Sequence, residues 1–338
     1  MFQGYAVVPE EDSTSENSSI HFSCIGVILA TTILSLELTK TSQLHRCETP
    51  PTRREWRSFW PHEKQNYIHA VQCLQGLPSQ ITNQGTLFDD FVYVHMWEGW
   101  KSHDAASFLP WHRAFLHIYE QTLAKKCHYR GSMPYWDWEV DWQNLANSSI
   151  WDPEEGFGGE GDPNSPLSPG DGHCLIDGPF KGAQRLYFNG EVNPHCLGRA
   201  FIHFETQQKG ALSGFHFRPE NMGMLKTASD FNKFREILED AAHNALHWGI
   251  RGDFSSISAG NDPIFWLHHA QLDRLWWHWQ QEDPKARETQ YYGKAFNTSN
   301  DQHRQGTLDD KLSFLGLWED IKVSEVMRTD SGLLCYRY

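Results

Sequence analysis

His243 and His247 stand four residues apart, and the adjacent pair His268 and His269 follows within the same chain half. On a helix a step of four puts two imidazoles on one face, one turn apart, so both can grip a single ion. A lone H-x-x-x-H says little, because surface helices produce it by chance and zinc sites use it too. It gains force here by being doubled: His95, His103 and His112 form a second group in the first half of the chain. Each group lies on candidate helices padded by aromatic residues. Imidazole suits zinc, copper, iron and nickel, and no cysteine stands close to either group, which disfavours a thiolate-ligated electron-transfer copper site. Neither group contains the H-E-x-x-H of a metalloprotease. The pattern asks for a fold that brings two three-histidine sites face to face.

Hydrophobic periodicity supplies the helices for such a fold. Glu63 to Gly76 carries Ile68, Val71 and Leu74 before Pro78 stops it, and Phe88 to Trp100 is a second, aromatic-rich candidate. A third is expected to start after Pro110, with His112, Phe115, Tyr119 and Leu123 on one face. Ser229 is a plausible N-cap for a helix running through Phe231, Phe234 and Leu238 to His243 and His247, with Gly249 as its stop. The last opens with Asp262 as N-cap and Pro263 in the first turn, and ends before Pro284. Between these, Trp151 to Gly172 is crowded with Gly, Pro, Asp and Asn and reads as a long loop. At 338 residues and 14% aromatic content the chain can bury one large, ring-rich core, so a single mainly helical domain with long loops is expected. A net charge of -14 argues against a phosphate-backbone binder, so nucleic acid is not an expected partner.

The first residues differ from the rest. Residues 1–19 form a polar, acidic tail, and 20–38 is an apolar segment expected to be a membrane anchor or a signal segment. Residues 39–53 read as a linker, and 54–338 as the catalytic domain. Lys40, Arg46, Arg53 and Arg54 follow the apolar segment and would favour the cytoplasmic side. The sequons at Asn147 and Asn297 point the other way, since they would be glycosylated only in the secretory lumen. A further sequon, at Asn17, would lie across an anchor from them. Setting aside Cys24 in the apolar segment leaves Cys47, Cys73, Cys127, Cys174, Cys196 and Cys335, an even set whose pairing the sequence does not choose. A lumenal domain on a single-pass anchor is the expectation, with secretion as the alternative.

The runs His95-Met-Trp-Glu-Gly-Trp, Leu109-Pro-Trp-His-Arg-Ala-Phe-Leu, Pro134-Tyr-Trp-Asp-Trp and Asn261-Asp-Pro-Ile-Phe-Trp-Leu-His-His resemble the copper-binding signatures of the tyrosinase and polyphenol oxidase family. The resemblance spans roughly Arg54 to Tyr338. It implies an antiparallel four-helix bundle holding two copper ions, one on His95, His103 and His112 and the other on His243, His247 and His269, with His268 outside the ligand set. The implied activity is oxidation of phenols by molecular oxygen: ortho-hydroxylation of monophenols and oxidation of o-diphenols to o-quinones. The substrate would be a small phenol or a tyrosine-containing peptide. Many members carry a Cys two residues before the second ligand, thioether-linked to it; Lys101 stands there, so no thioether is expected. The short form, ending in Tyr336-Arg-Tyr338, resembles fungal enzymes of secondary-metabolite and peptide-toxin pathways of the ustiloxin and phomopsin kind.

Further roles follow from position. Glu239, one turn before His243, is the candidate base for a monophenol, and Asn244 the residue that would orient a water held by Glu239. Asp273, one turn beyond His269, is the expected hydrogen-bond acceptor of a ligand imidazole, or else a partner of Arg274. Phe115 and Phe265 are expected to pack beside the coppers. Ala259 falls where the family places a side chain over the cavity mouth, and an alanine there would leave it open. Competing readings are a catechol or o-aminophenol oxidase without monophenolase activity, and a non-catalytic oxygen-binding relative.

Overall fold

A computed structural model describes residues 47–330 and 332–338. The described residues fall within one compact unit that spans Leu44–Tyr338. Its core is helical: α1 (Pro61–Gly76), α2 (Leu87–Val94), α3 (Phe108–Cys127), α4 (Phe231–Ile237), α5 (Asn244–Ile250) and α6 (Ile264–Glu282). A π-helical turn, Leu238–His243, joins α4 to α5 without a break, and another, His95–Gly99, extends α2. Four helices make the antiparallel bundle: α2 with its π turn, α3, the continuous 231–250 helix and α6. Short antiparallel ribbons, the longest pairing Gln184–Phe188 with Glu191–Cys196, fill the long connection between α3 and α4.

The helix ends are set by local chemistry. Thr86 and Asp89 form a reciprocal box at the start of α2: the Asp89 N–H donates to Thr86 Oγ1 at 3.2 Å, and the Thr86 N–H donates to Asp89 Oδ2 at 2.8 Å. Helix α4 is capped by Asp230, whose Oδ1 accepts from the Lys233 N–H at 2.9 Å, so the cap is one residue beyond the expected Ser229. Helix α3 begins at Phe108, before Pro110, because the first turn has N–H groups without helical partners and a proline there costs nothing. Asp262 does accept from the Ile264 N–H at 3.1 Å. Its main partner, however, is Arg199, at 2.6 and 2.8 Å. The same guanidinium, through Nη1, donates to the carbonyls of Phe157, Gly158 and Gly159, and so ties the Gly-rich 151–172 loop onto the start of α6.

The expected 39–53 linker is not a linker over its described part. Cys47 is disulfide-bonded to Cys335, the Arg53 N–H donates to the Arg337 carbonyl, and the Arg53 side chain is buried. The reason is electrostatic: Asp273, buried on α6, accepts from Arg113 Nε at 2.5 Å, Arg53 Nη1 at 3.2 Å and the hydroxyls of Tyr336 and Tyr338 at 2.6 and 2.7 Å. This also corrects the role expected of Asp273. Its oxygens are taken by these four groups rather than by a ligand histidine, and Arg274 pairs with Asp137 instead.

The remaining cysteines pair as Cys73–Cys127 and Cys174–Cys196, so six cysteines form three bridges and the chain matures in an oxidising, secretory compartment. Asn147 is exposed, whereas Asn297 is half-buried with its carboxamide oxygen on Lys294 Nζ at 2.8 Å. The expectation of a transmembrane anchor is corrected: among the described residues no helix is long and apolar enough to cross a membrane. Segment 20–38 itself lies outside the described residues, as does the Asn17 sequon.

Burial works to raise the Asp273 carboxyl, but the Arg113 and Arg53 guanidinia and the two tyrosine hydroxyls outweigh it and hold the group below its ordinary value. The stabilisation it confers is therefore complete above the unfolded value of about 3.9 and is lost as pH falls through the lower folded value. Asp273→Ala removes the anion that Arg113 and Arg53 share. It should cost about 3–5 kcal/mol, read as a lower urea midpoint at neutral pH, and an unchanged midpoint would refute the assignment.

Candidate dinuclear metal centre

The bundle brings together all seven histidines singled out by the sequence. His95, His103 and His112 form one cluster and His243, His247, His268 and His269 another, with the nitrogens within each lying no more than 4.8 Å apart. The clusters touch: His112 stacks on His269 with centroids 4.3 Å apart, and His103 lies 5.5 Å from His243. His95 opens one π turn and His243 closes the other, so each half contributes a histidine on a widened helical turn, a deviation that recurs at functional sites.

Hydrogen bonds fix which nitrogen each ring presents. Nδ1 meets the carbonyl of Ile257 in His95 (2.6 Å), of Gly99 in His103 (3.0 Å), of Phe108 in His112 (2.8 Å) and of Phe254 in His247 (2.6 Å). In His243 it meets Asn244 Oδ1 at 3.0 Å. A carbonyl oxygen only accepts, so Nδ1 carries the proton and Nε2 is left as a bare lone pair. The Nε2 atoms of His95 and His112 face each other at 3.4 Å, two lone pairs with no proton between them. Nε2 of His243, of His247 and of His269 is buried without any partner. Burial depresses every one of these imidazoles, and neighbouring rings add to it in all but His103, with His103 and His247 pushed down to about 4 and His95 and His269 well below their ordinary value. They are neutral at pH 7. Converging neutral lone pairs in an apolar interior are costly as they stand and satisfied by cations. The residues fit two metal ions with imidazole-only ligation.

His268 joins the second cluster in space. It is fully buried, and neither of its nitrogens has a partner. Phe265 packs on His95 and His269 at 4.9 and 4.2 Å, between the clusters, while Phe115 backs His95 at 6.3 Å. Ala259 does not sit over an open mouth. It is fully buried in a single 3-10 turn, Ala259–Asn261, whose first N–H is tied to the Ser256 carbonyl. Exposure lies instead on the side of His103, Asn244 and His247, which are only half-buried.

Glu239 is buried between the clusters' supports: Oε1 accepts from the Asp104 N–H at 2.8 Å, next to His103, and Oε2 accepts from Arg235 at 2.6 Å. Burial pushes its carboxyl up to about 8 against the pull of Arg235 and the Asp104 N–H. Sequence reasoning missed Phe108, whose ring lies 4.8 to 5.4 Å from His112, His243 and His103. The signal was present, because Phe108 and Gly99 stand four residues before His112 and His103, where a helical carbonyl meets the later ring. Ile257 could not be found this way, since it lies 162 positions from His95, and Phe254 follows His247 by seven residues, beyond the end of the helix that bears it.

Apo protein titrated with Cu(II) at pH 7 should melt later by an amount that grows with free metal, about 4 kcal/mol at a thousandfold excess over the dissociation constant. His95→Ala should weaken that response. A melting temperature indifferent to metal would show that the lone pairs are satisfied otherwise.

Comparison with known proteins agrees with this geometry. Residues 85–282 match the common central domain of tyrosinase. The tyrosinase-like protein phomQ2 of Diaporthe leptostromiformis is 45% identical over 322 residues, covering 93% of this chain and 81% of that protein. Tyrosinase ustQ of Aspergillus flavus is 43% identical over 343 residues, covering 98% of this chain and 94% of its own. Among solved structures, a point mutant of the polyphenol oxidase from Thermothelomyces thermophila superposes with a TM-score of 0.73 at 29% identity, over 87% of this chain and 90% of that one. With two facing histidine clusters on a four-helix bundle and these relatives, the chain belongs to the tyrosinase family of type-3 dinuclear copper oxidoreductases, which act on phenols with molecular oxygen.

Proposed function

We propose that the protein ortho-hydroxylates monophenols and oxidises o-diphenols to o-quinones, with one copper ion on His95, His103 and His112 and one on His243, His247 and His269. The observation that carries this is the set of Nε2 lone pairs converging from two clusters in direct ring contact. Copper ions held there would pass to dioxygen the electrons that the phenol gives up as it is oxidised. The protein's part is to present neutral imidazoles, exclude water with Phe108 and Phe265, and move a proton. A monophenol has an ordinary pKa of about 10 and must lose its proton to bind metal. Glu239, pushed up to about 8, is a stronger base than an ordinary carboxylate when ionised, and its hydrogen bond to Asp104 places it beside the His103–His243 junction. The fungal relatives support a place in secondary metabolism, on a small phenol or a tyrosine-containing peptide.

A second reading, catechol oxidation alone, is favoured by a specific observation: Asn244 Oδ1 is engaged by His243, and each Glu239 oxygen already accepts from a protein donor. Under that reading the pair positions ligands and holds no water for proton transfer. Glu239→Gln separates the two. As a base its loss should depress turnover of a monophenol by about 10² to 10⁴ while the matching catechol is oxidised nearly as before. Equal losses on both substrates would assign Glu239 to positioning. Two coppers per chain by elemental analysis, one lost in His112→Ala or His269→Ala, is the expected stoichiometry, and a single zinc would sink the proposal.

A further inference from the structure

Beside His247 the surface is shaped. Trp248, the next residue, is 50% exposed, and its ring meets that of Phe204 edge-on at 5.9 Å. Phe204, Trp248, Arg251 and Ser255 line a cavity of about 370 Å³. Both walls lead back to the metal centre. Ser255 follows Phe254, whose carbonyl holds His247 Nδ1 and whose ring stacks on that imidazole at 4.4 Å and 16°. His247 is itself one of the half-buried histidines on the accessible side.

Arg251 is the unusual lining residue. It ends α5 with φ 60° and ψ −164°, a backbone region that glycine occupies at ease and an arginine only against strain. Glycines stand at 249 and 252, so a residue that would relieve this strain is used on either side of it but not at it. Its Nη1 meets Asp171 Oδ2 at 3.1 Å, but that carboxylate is 83% exposed, and a pair of this kind yields readily to another acceptor. With a net charge of -14 the whole molecule repels anions at a distance, so an anionic group would need a cation at the point of contact.

We infer that this cavity receives the part of the substrate beyond the oxidised ring and selects phenols whose side arm carries a carboxylate next to an apolar or aromatic group. The inference rests on the reading of the neighbouring centre as a phenol oxidase. Trp248 and Phe204 offer ring faces to the apolar portion, and the planar guanidinium fork matches a carboxylate in two parallel hydrogen bonds.

The test uses the copper-loaded enzyme and an unoxidisable probe, N-acetyl-phenylalanyl-phenylalanine, as free acid and as C-terminal amide, by titration calorimetry. The acid should bind about tenfold more tightly than the amide, the scale of one charge-assisted contact. Arg251→Gln should erase that preference, and Trp248→Ala should weaken both forms. Arg251→Gly, which suits the backbone there, should erase it as well and guards against a misfolded variant. In turnover, 3,4-dihydroxyphenylpropionate should show a lower KM than its amide by a similar factor, a gap that closes in Arg251→Gln. Equal affinities for acid and amide, or a preference that survives both Arg251 substitutions, overturn the inference. An enzyme inert on every phenol that still prefers the acid in calorimetry would sink the oxidase reading and leave the cavity assigned.

Discussion

Five imidazoles are held by Nδ1 so that their Nε2 lone pairs converge in a dry interior, and much of the architecture can be understood from that one arrangement. The carbonyls that hold them come from two kinds of place. Those of Gly99 and Phe108 lie one helical turn before their histidines, so α3 and the π turn after α2 orient His103 and His112 by themselves. Those of Ile257 and Phe254 belong to the segment between α5 and α6, which must be folded against both halves before His95 and His247 are oriented. The clusters are thus completed only when tertiary packing is complete. His269 has no such anchor, and its ring is fixed by stacking on His112 and contact with Phe265.

Concentrating neutral lone pairs in the centre leaves the charges of the core to be arranged around it. The buried guanidinia of Arg53 and Arg113 meet Asp273 one turn past His269, and Arg199 meets Asp262 at the other end of the same region of α6. Both carboxylates thus flank the ligand-bearing segment of that helix and hold it by ion pairs to distant parts of the chain. An isolated charge at either place would be expensive, which is why each carboxylate is met by buried guanidinium donors. The Cys47–Cys335 bridge and the two tyrosines on Asp273 draw the chain's described ends to the back of α6, away from the half-buried side at His103, Asn244 and His247.

That accessible side joins recognition to chemistry. Glu239 lies under it, pinned between Arg235 and the loop of His103, and Trp248 and Arg251 flank it on the last turn of α5. The π turn ending at His243 shifts the phase of the helix that follows. One continuous helix therefore carries a buried carboxylate, two of the clustered histidines and an exposed aromatic without interruption.

The sequence alone determined the helical class, the helices that bear histidines and the doubling of the cluster, because 3.6-residue periodicity and the spacing of His243 and His247 are local properties. It also carried the even set of cysteines, though not their pairing. Tertiary structure decided what depends on groups far apart in the chain. Asp273 is one turn from His269 by count, yet its oxygens go to Arg53, Arg113 and the terminal tyrosines, since buried guanidinia outcompete a neutral imidazole for an anion. Ala259 aligns with a mouth by position but is packed in the core, and residues 47–53 look like a linker while being tied to the C-terminus. Arg251 and Phe204 gave no sign of forming one cavity, because forty-seven positions separate them and only the folded loops set them together.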